Sequence, residues 1–244
     1  MIGSNRSYLQ TPEQWTVFLG ALSHELRTPL ASLRLLAELL ARSSPPAAGS
    51  QEESFTANME EVIQDLLALT GDLSQLAKLM AGEARMRPEK AQLVEVIEDV
   101  SHTVRPWAWD RGITILESLD PGLPKHFWTD EARFRQVLTL LIGAAVSQAR
   151  SSILVFAQGD DERLRIVISS DGPAYSETAL QSLFEPLNVD VKAMRRRGGR
   201  SLALPLAHQL VLALGGSLEG GNRDGRPTFE IILPGLDSDP SSGP

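Results

Sequence analysis

His24 is the side chain in this sequence most able to do covalent chemistry, and it stands in the run Ser23-His24-Glu25-Leu26-Arg27-Thr28-Pro29-Leu30. With Leu19, Leu22 and Leu26 at alternating core positions of a heptad, His24 falls where a side chain points directly away from the seam. Thr28 lies one turn later on the same face. An exposed helical histidine alone is most simply a solvated side chain. Glu25 changes that reading, because a carboxylate beside the imidazole can take its proton and leave the other ring nitrogen nucleophilic. An adjacent acid or hydroxyl is also what in-line phosphoryl chemistry requires. Pro29 removes an intrahelical hydrogen bond, frees the carbonyl of Glu25 and bends the helix one turn beyond the histidine.

The elements that position this group are legible from spacing. Trp15, Leu19, Leu22, Leu26, Pro29, Leu33, Leu36 and Leu40 alternate at intervals of four and three. Phe55, Met59, Val62, Leu66, Leu69, Leu73, Leu76 and Met80 do the same. Two helices of about 30 residues, each roughly 45 Å long, are expected to run antiparallel across a loop at Ser43–Ser50, the second ending at Arg87-Pro88-Glu89-Lys90. Leu30, Ile63 and Leu67 widen the apolar stripe beyond what one hairpin covers, which predicts a homodimer built on a four-helix bundle.

The remainder reads as α+β. Helices are expected at Leu93–Arg111, Glu131–Ala149 and Ser201–Leu214, the last capped at Gly215-Gly216. A strand is expected at Ile113–Leu119, a hairpin at Ile153–Ala157 and Leu164–Ser169, and an irregular stretch from Asp171 to Gly199. A closing hairpin joins Ser217–Glu219 to Thr228–Leu233 around Gly220-Gly221-Asn222 and Asp224-Gly225. The expected division is a short start at 1–11, a helical phosphoacceptor and dimerisation domain at 12–85, an α/β sandwich at 86–235 and a disordered tail at 236–244.

Composition narrows the function classes. The 244 residues carry 23 basic and 31 acidic side chains, a net charge of −8, and 42% are apolar, enough for a buried core. The chain has no cysteine, and its four histidines, at 24, 102, 126 and 208, show no metal-ligand spacing, so disulfides and a metal site are not expected. The acidic balance argues against a nucleic-acid partner. No apolar run approaches the ~18 residues of a membrane span and no signal peptide is apparent, which predicts a cytoplasmic protein. Lys192, Arg195-Arg196-Arg197 and Arg200 read either as a solvated loop or as a holder of a phosphate-bearing ligand or acidic partner surface. Trp107 and Trp109, near Arg105 and Arg111, read as packing residues rather than a base-stacking platform.

Residues 23–30 resemble the H-box of the sensor histidine kinases of two-component systems, a match of eight contiguous positions. The resemblance implies that His24 accepts a phosphoryl group and exchanges it with an aspartate of a response regulator. It also implies that Glu25 acts as base, and that Thr28 positions water in phosphatase action. Ala31, Ser32, Arg34 and Leu35 would form the regulator-recognising surface below the histidine. It extends through Trp128–Leu138, which looks like the approach to the family's N-box, Leu183-Phe184-Glu185-Pro186, which resembles its F-box, and Gly215–Glu219 with Phe229–Pro234, which are similar to its closing strands. The implied architecture is a dimeric helical hairpin followed by an ATP-binding-type α/β sandwich.

The nucleotide positions depart from that pattern. Where the family has Asn-Leu-x-x-Asn-Ala, this chain reads Thr139-Leu140-Leu141-Ile142-Gly143-Ala144, so the position that holds Mg²⁺ is Gly143; the usual basic residue is Val146, followed by Ser147. Where the family has Asp-x-Gly-x-Gly, this chain reads Ser170-Asp171-Gly172-Pro173-Ala174, which puts Ser170 at the adenine-contacting position. Asp171 would substitute only through a one-residue shift that reverses its face. The second glycine-rich motif is Gly199-Arg200-Ser201-Leu202-Ala203-Leu204, and two glycines that let backbone approach phosphate are gone. At roughly 1.5–3 kcal/mol per charged contact, three or four losses amount to about 6 kcal/mol, on the order of 10⁴ in affinity. No cofactor is therefore expected, ATP and Mg²⁺ entering only if the divergent site still binds. Three readings follow: phosphotransfer through His24 without ATP dependence, an active ATP-dependent kinase with a divergent site, and a non-catalytic pseudokinase scaffold. With about 11 residues before the first helix, input is expected from a separate sensor protein, a kinase or a ligand.

Overall fold

The computed structural model describes Leu26 and residues 30–39, 50–160, 163–185 and 202–234. The chain divides into two compact units, Met1–Gln75 and Leu76–Pro244.

In the first unit, residues 30–39 are helical (α1), and a 31-residue helix, α2 (Ser50–Met80), begins there and runs into the second. The heptad pattern is visible in burial. Leu33, Leu36, Met59, Val62, Leu66, Leu69 and Leu73 are half-buried, whereas Leu30, Ile63 and Leu67 are 55%, 41% and 61% exposed. The expected loop at 43–49 lies outside the described residues. Helix α2 does not reach Arg87-Pro88 as the sequence predicts. It stops at Met80, because Gly82 takes the left-handed conformation (φ +70°) and closes the end, its N–H donating to Leu79 O (3.1 Å) and that of Glu83 to Lys78 O (2.9 Å).

The second unit continues with β1 (Glu89–Gln92), α3 (Leu93–Trp109), β2 (Thr114–Leu119), β3 (His126–Thr129), α4 (Glu131–Gln148), β4 (Ser152–Gly159) and β5 (Arg163–Ser170). It closes with α5 (Glu177–Gln181), α6 (Ala203–Ala213), β6 (Ser217–Arg223) and β7 (Arg226–Pro234). Five strands form one sheet in the order β2-β4-β5-β7-β6, with β2 parallel to β4 and the other pairs antiparallel. Strands β1 and β3 make a separate antiparallel ribbon. Alternate residues of the large sheet, among them Ile153, Val155, Ala157, Leu164, Ile166, Ile168, Ile231 and Leu233, are buried. Helices α3, α4 and α6 cover that face, α4 lying against both of the others. Each fully buried aliphatic side chain of this kind contributes about 1.5–3 kcal/mol, so the α/β sandwich rests on its alternation.

Three details correct the sequence reading. β1 and β3 are four-residue strands that carry no alternation long enough to detect. The stretch expected to be irregular after Asp171 contains α5, started by the Ser176 side chain accepting from Ala179 N. Gly220, Gly221 and Asn222 are strand residues rather than a turn; the hairpin turns only at Asp224 and Gly225, both with positive φ (50° and 74°). Helix α6 ends at left-handed Gly215 (φ +80°) as expected.

Asp130, 7% exposed, fixes where α4 begins. One carboxylate oxygen accepts from Arg133 N (3.0 Å) as the helix N-cap, and the other accepts from Arg87 N (2.9 Å) in the segment that follows α2. Asparagine has one acceptor where aspartate has two. Asp130→Ala is therefore expected to lower stability by about 1–2 kcal/mol in chemical denaturation and Asp130→Asn by less. Amide exchange should accelerate at both Arg87 and Arg133 in D130A, but mainly at one of them in D130N; equal acceleration at both amides in the two variants would contradict the two-acceptor account.

Candidate functional site

Helix α4 is buried on nearly all sides: Phe134, Val137, Leu138, Leu140, Leu141, Ile142, Ala144, Ala145 and Val146 are all inside. What remains uncovered is a stripe through Arg135, Thr139 and Gly143, spaced by four. Arg135 is paired with Glu131 (2.8 Å) and Asp99 (3.1 Å), and the Thr139 hydroxyl donates back to Arg135 O (2.8 Å). Gly143 therefore leaves open surface, with nothing within 4 Å of where its Cβ would stand. Ser147 is turned inward, 7% exposed, its hydroxyl donating to Ala144 O (2.7 Å).

The end of β5 meets the end of α4. Leu164, Ile166, Ile168 and Ser170 alternate onto the helix-covered face, and Ser170 is 2% exposed with no hydrogen-bond partner for its Oγ. Asp171, one residue on, faces the other way. Its carboxylate accepts from Arg150 N (2.7 Å), Ser151 N (3.0 Å) and the Ser151 hydroxyl, and is spent on the loop between α4 and β4. Desolvation pushes its pKa up, but the Ser151 hydroxyl and the backbone N–H groups of Ser151, Arg150 and Ser152 outweigh it and hold the group well below the usual carboxylate range. At Gly172 a Cβ would stand 2.2 Å from Gln148 O, so only glycine permits this approach to the last turn of α4.

Residues without a sequence signal complete the frame. The Tyr175 hydroxyl accepts from Gln148 Nε2 (2.8 Å). Its backbone N–H donates to Asn222 Oδ1 and its carbonyl accepts from Asn222 Nδ2, both at 2.9 Å. Burial pushes the Tyr175 phenol up, against the smaller opposing effect of Gln148. Leu183 and Phe184 lie over β6 at Gly220, where a Cβ would stand 2.1 Å from Leu183 Cδ2, and Phe184 stacks on His208 (5.0 Å between centroids). Burial lowers the His208 pKa, which favours the neutral ring.

The structure thus brings Ser170, Asp171 and Gly172 together at the end of α4, with Gly143 on the open stripe of the same helix. His24, Glu25, Thr28, Gly199, Ser201, Lys192, Arg200 and Arg195–Arg197 lie outside the described residues. Of the expected recognition residues on α1, Ala31, Arg34 and Leu35 are exposed, Leu35 by 58%, and Ser32 is half-buried; Arg34 pairs with Glu38 (2.9 Å). Trp109 is not a packing residue: it is 78% exposed, and its neighbour Trp107 carries the Arg111 guanidinium 4.3 Å from its ring centroid. Among the described residues no cluster of three His, Cys, Asp or Glu side chains could hold a metal, and no helix is long and apolar enough to cross a membrane.

Two family models match the chain. One, described as the His Kinase A (phospho-acceptor) domain, matches residues 14–82, and one, described as the histidine kinase-, DNA gyrase B- and HSP90-like ATPase, matches residues 129–236. The autoinducer 2 sensor kinase/phosphatase LuxQ of Vibrio vulnificus is 27% identical over 209 residues, 82% of this chain and 24% of LuxQ. The sensor histidine kinase AruS of Pseudomonas aeruginosa is 32% identical over 229 residues, 88% of this chain and 22% of AruS. The chain thus spans about a quarter of the length of these curated relatives. Among solved structures, full-length ShkA in complex with AMPPNP superposes with a TM-score of 0.67 at 29% identity, covering 94% of this chain and 47% of ShkA. Helical first part, five-stranded sandwich and both matched domains agree: the chain belongs to the sensor histidine kinase family of two-component systems.

Proposed function

We propose that this chain acts in two-component signalling by phosphoryl transfer through His24 to or from a response-regulator aspartate, with a nucleotide site too depleted to charge His24 from ATP. The observation that carries the first half is the H-box run at residues 23–30 inside the matched phosphoacceptor domain. Glu25 serves as proton acceptor, Thr28 as the water-positioning group, and Ala31, Ser32, Arg34 and Leu35 as the regulator contact. That LuxQ is described as a kinase/phosphatase supports including dephosphorylation of the regulator. The exposed Leu30, Leu35, Ile63 and Leu67 support a homodimer through the helical unit.

The second half is supported at three positions. Gly143 offers no ligand for Mg²⁺ on the open stripe of α4, Ser170 supplies a neutral hydroxyl where adenine would meet a carboxylate, and Asp171 is committed to Arg150 and Ser151. These residues do not fit a metal-nucleotide complex. One observation favours the alternative of an active kinase: the solved relative ShkA, 29% identical, is described with AMPPNP bound.

Incubation of the chain with Mg²⁺ and labelled ATP decides between them. We expect no acid-labile, alkali-stable label on the wild type, and His24-dependent loss of label from a phosphorylated receiver domain that His24→Ala abolishes. ATP-derived label on the wild type but not on H24A would overturn the proposal. The open space at Gly143 also predicts that Gly143→Asn is accommodated, and that G143N combined with Ser170→Asp gains at least about tenfold in nucleotide affinity by calorimetry.

Asp171 as a structural clamp predicts a specific pH dependence. Its folded pKa is depressed, so its stabilisation is fully present above the unfolded value near 3.8 and is lost as pH falls toward the folded one. Wild type should be more stable than Asp171→Asn at pH 7, and the gap in chemical denaturation should narrow progressively as pH falls below about 4. A gap independent of pH would show that the charge of Asp171 is not what holds the loop.

A further inference from the structure

The turn after α3 and the exit of α4 border an open cleft of about 490 Å³ that Gly143, Ser170 and Gly172 do not line. Arg111 and Ile113 form one wall, Val146 to Arg150 the other, and Pro173 closes the end. Two of the lining residues are arginines, Arg111 and Arg150. Among the described residues no carboxylate lies in ion-pair range of Arg111 or Arg150, whereas Arg34, Arg105, Arg135, Arg165 and Arg223 all have acidic partners.

Arg111 is held in advance through its side chain and Arg150 through its backbone. Arg111 stacks over Trp107 at 4.3 Å, which removes rotamer freedom that a ligand would otherwise have to freeze. Arg150 has its backbone fixed by the Asp171 carboxylate (2.7 Å), whose own charge is satisfied by the Ser151 donors. Of the other polar side chains on the wall, Ser147 donates to Ala144 O and Gln148 gives one of its two amide N–H groups to Tyr175, so the donors for a guest are the guanidinium N–H groups and the second Gln148 N–H. Against the two full cations stand the Asp171 carboxylate and a partial negative charge of about half a unit from the carbonyls ending α4, which together the cations still outweigh.

We infer that this cleft is a binding site for a small organic oxyanion, a carboxylate or phosphate gripped between Arg111 and Arg150, its body lying on Ile113, Val146, Ala149 and Pro173. The volume falls within the roughly 300–1,000 Å³ of small-molecule sites and exceeds what a bare inorganic ion fills. A planar guanidinium pair selects forked oxygens over a spherical anion such as chloride. The gripping side chains, Arg111 and Arg150, lie outside the nucleotide-type motifs, although Val146, Ser147 and Pro173 on the wall belong to them, so the R111Q and R150Q variants separate this site from any residual nucleotide binding.

The test is calorimetric titration of the full chain with succinate, glycerol 3-phosphate and inorganic phosphate at constant ionic strength, with Trp107 fluorescence as a second readout. We expect saturable one-to-one binding of succinate or glycerol 3-phosphate, weaker binding of inorganic phosphate, and at least about a tenfold loss of affinity in each of Arg111→Gln and Arg150→Gln. Preference for succinate would assign a carboxylate ligand and preference for glycerol 3-phosphate a phosphate ester. Both arginines are exposed, so the folded state of R111Q and R150Q can be checked by unchanged thermal unfolding. Absence of saturable binding by all three probes, or binding undiminished in the R111Q/R150Q double variant, would overturn the assignment.

Discussion

The approach of the chain leaving β5 to the last turn of α4 is the contact on which the second unit depends. At Gly172 the two backbones come so close that a Cβ would stand 2.2 Å from Gln148 O. Neither segment can shift without the other. On one side of that contact Asp171 binds the N–H groups that begin the α4–β4 loop, and on the other Tyr175 reaches Gln148 through its hydroxyl and Asn222 through its backbone. Helix α4, β5 and β6 are thereby tied at one end of the sandwich by polar bonds, while apolar burial holds the rest. Asp130 does the corresponding job at the start of α4, joining it to the segment that follows α2.

This arrangement resists local rearrangement at that end of the sandwich. Satisfied hydrogen bonds in a partly desolvated setting resist rearrangement, because a broken partner leaves a donor or acceptor costing about 1–3 kcal/mol. A one-residue slip that would bring Asp171 to the position of Ser170 has to break Asp171's bonds to Arg150 and Ser151, and it has to place a side chain where only glycine fits. The physical barrier to such a shift is therefore greater than the strand alternation alone implies.

How far the sequence foretold this depends on the range of the interaction. Heptad seams, the buried length of α4 and the opposite facing of Ser170 and Asp171 follow from periods of 3.5, 3.6 and 2, which are local properties. Pro88 is the more conspicuous breaker in the sequence, whereas left-handed Gly82 closes α2 before it. Gly220 to Asn222 look like turn residues by composition, but Gly220 is glycine because Leu183 occupies the space its side chain would need. The bonds of Tyr175 to Gln148 and Asn222 span 27 and 47 residues, and no pattern within either segment announces them.

The two kinds of glycine in this unit separate what the fold needs from what a ligand needs. At Gly172 a backbone carbonyl forbids a Cβ, and at Gly220 a Cβ would displace the Leu183 side chain, so packing accounts for both. Gly143 is different: nothing lies within 4 Å of its Cβ position, and a glycine inside a helix costs about 1 kcal/mol relative to alanine. The fold gains nothing from it, and asparagine would be accommodated there. The glycine at 143 is consequently not the by-product of a packing constraint. The frame from Asp130 to Tyr175 is held by bonds in which that position takes no part.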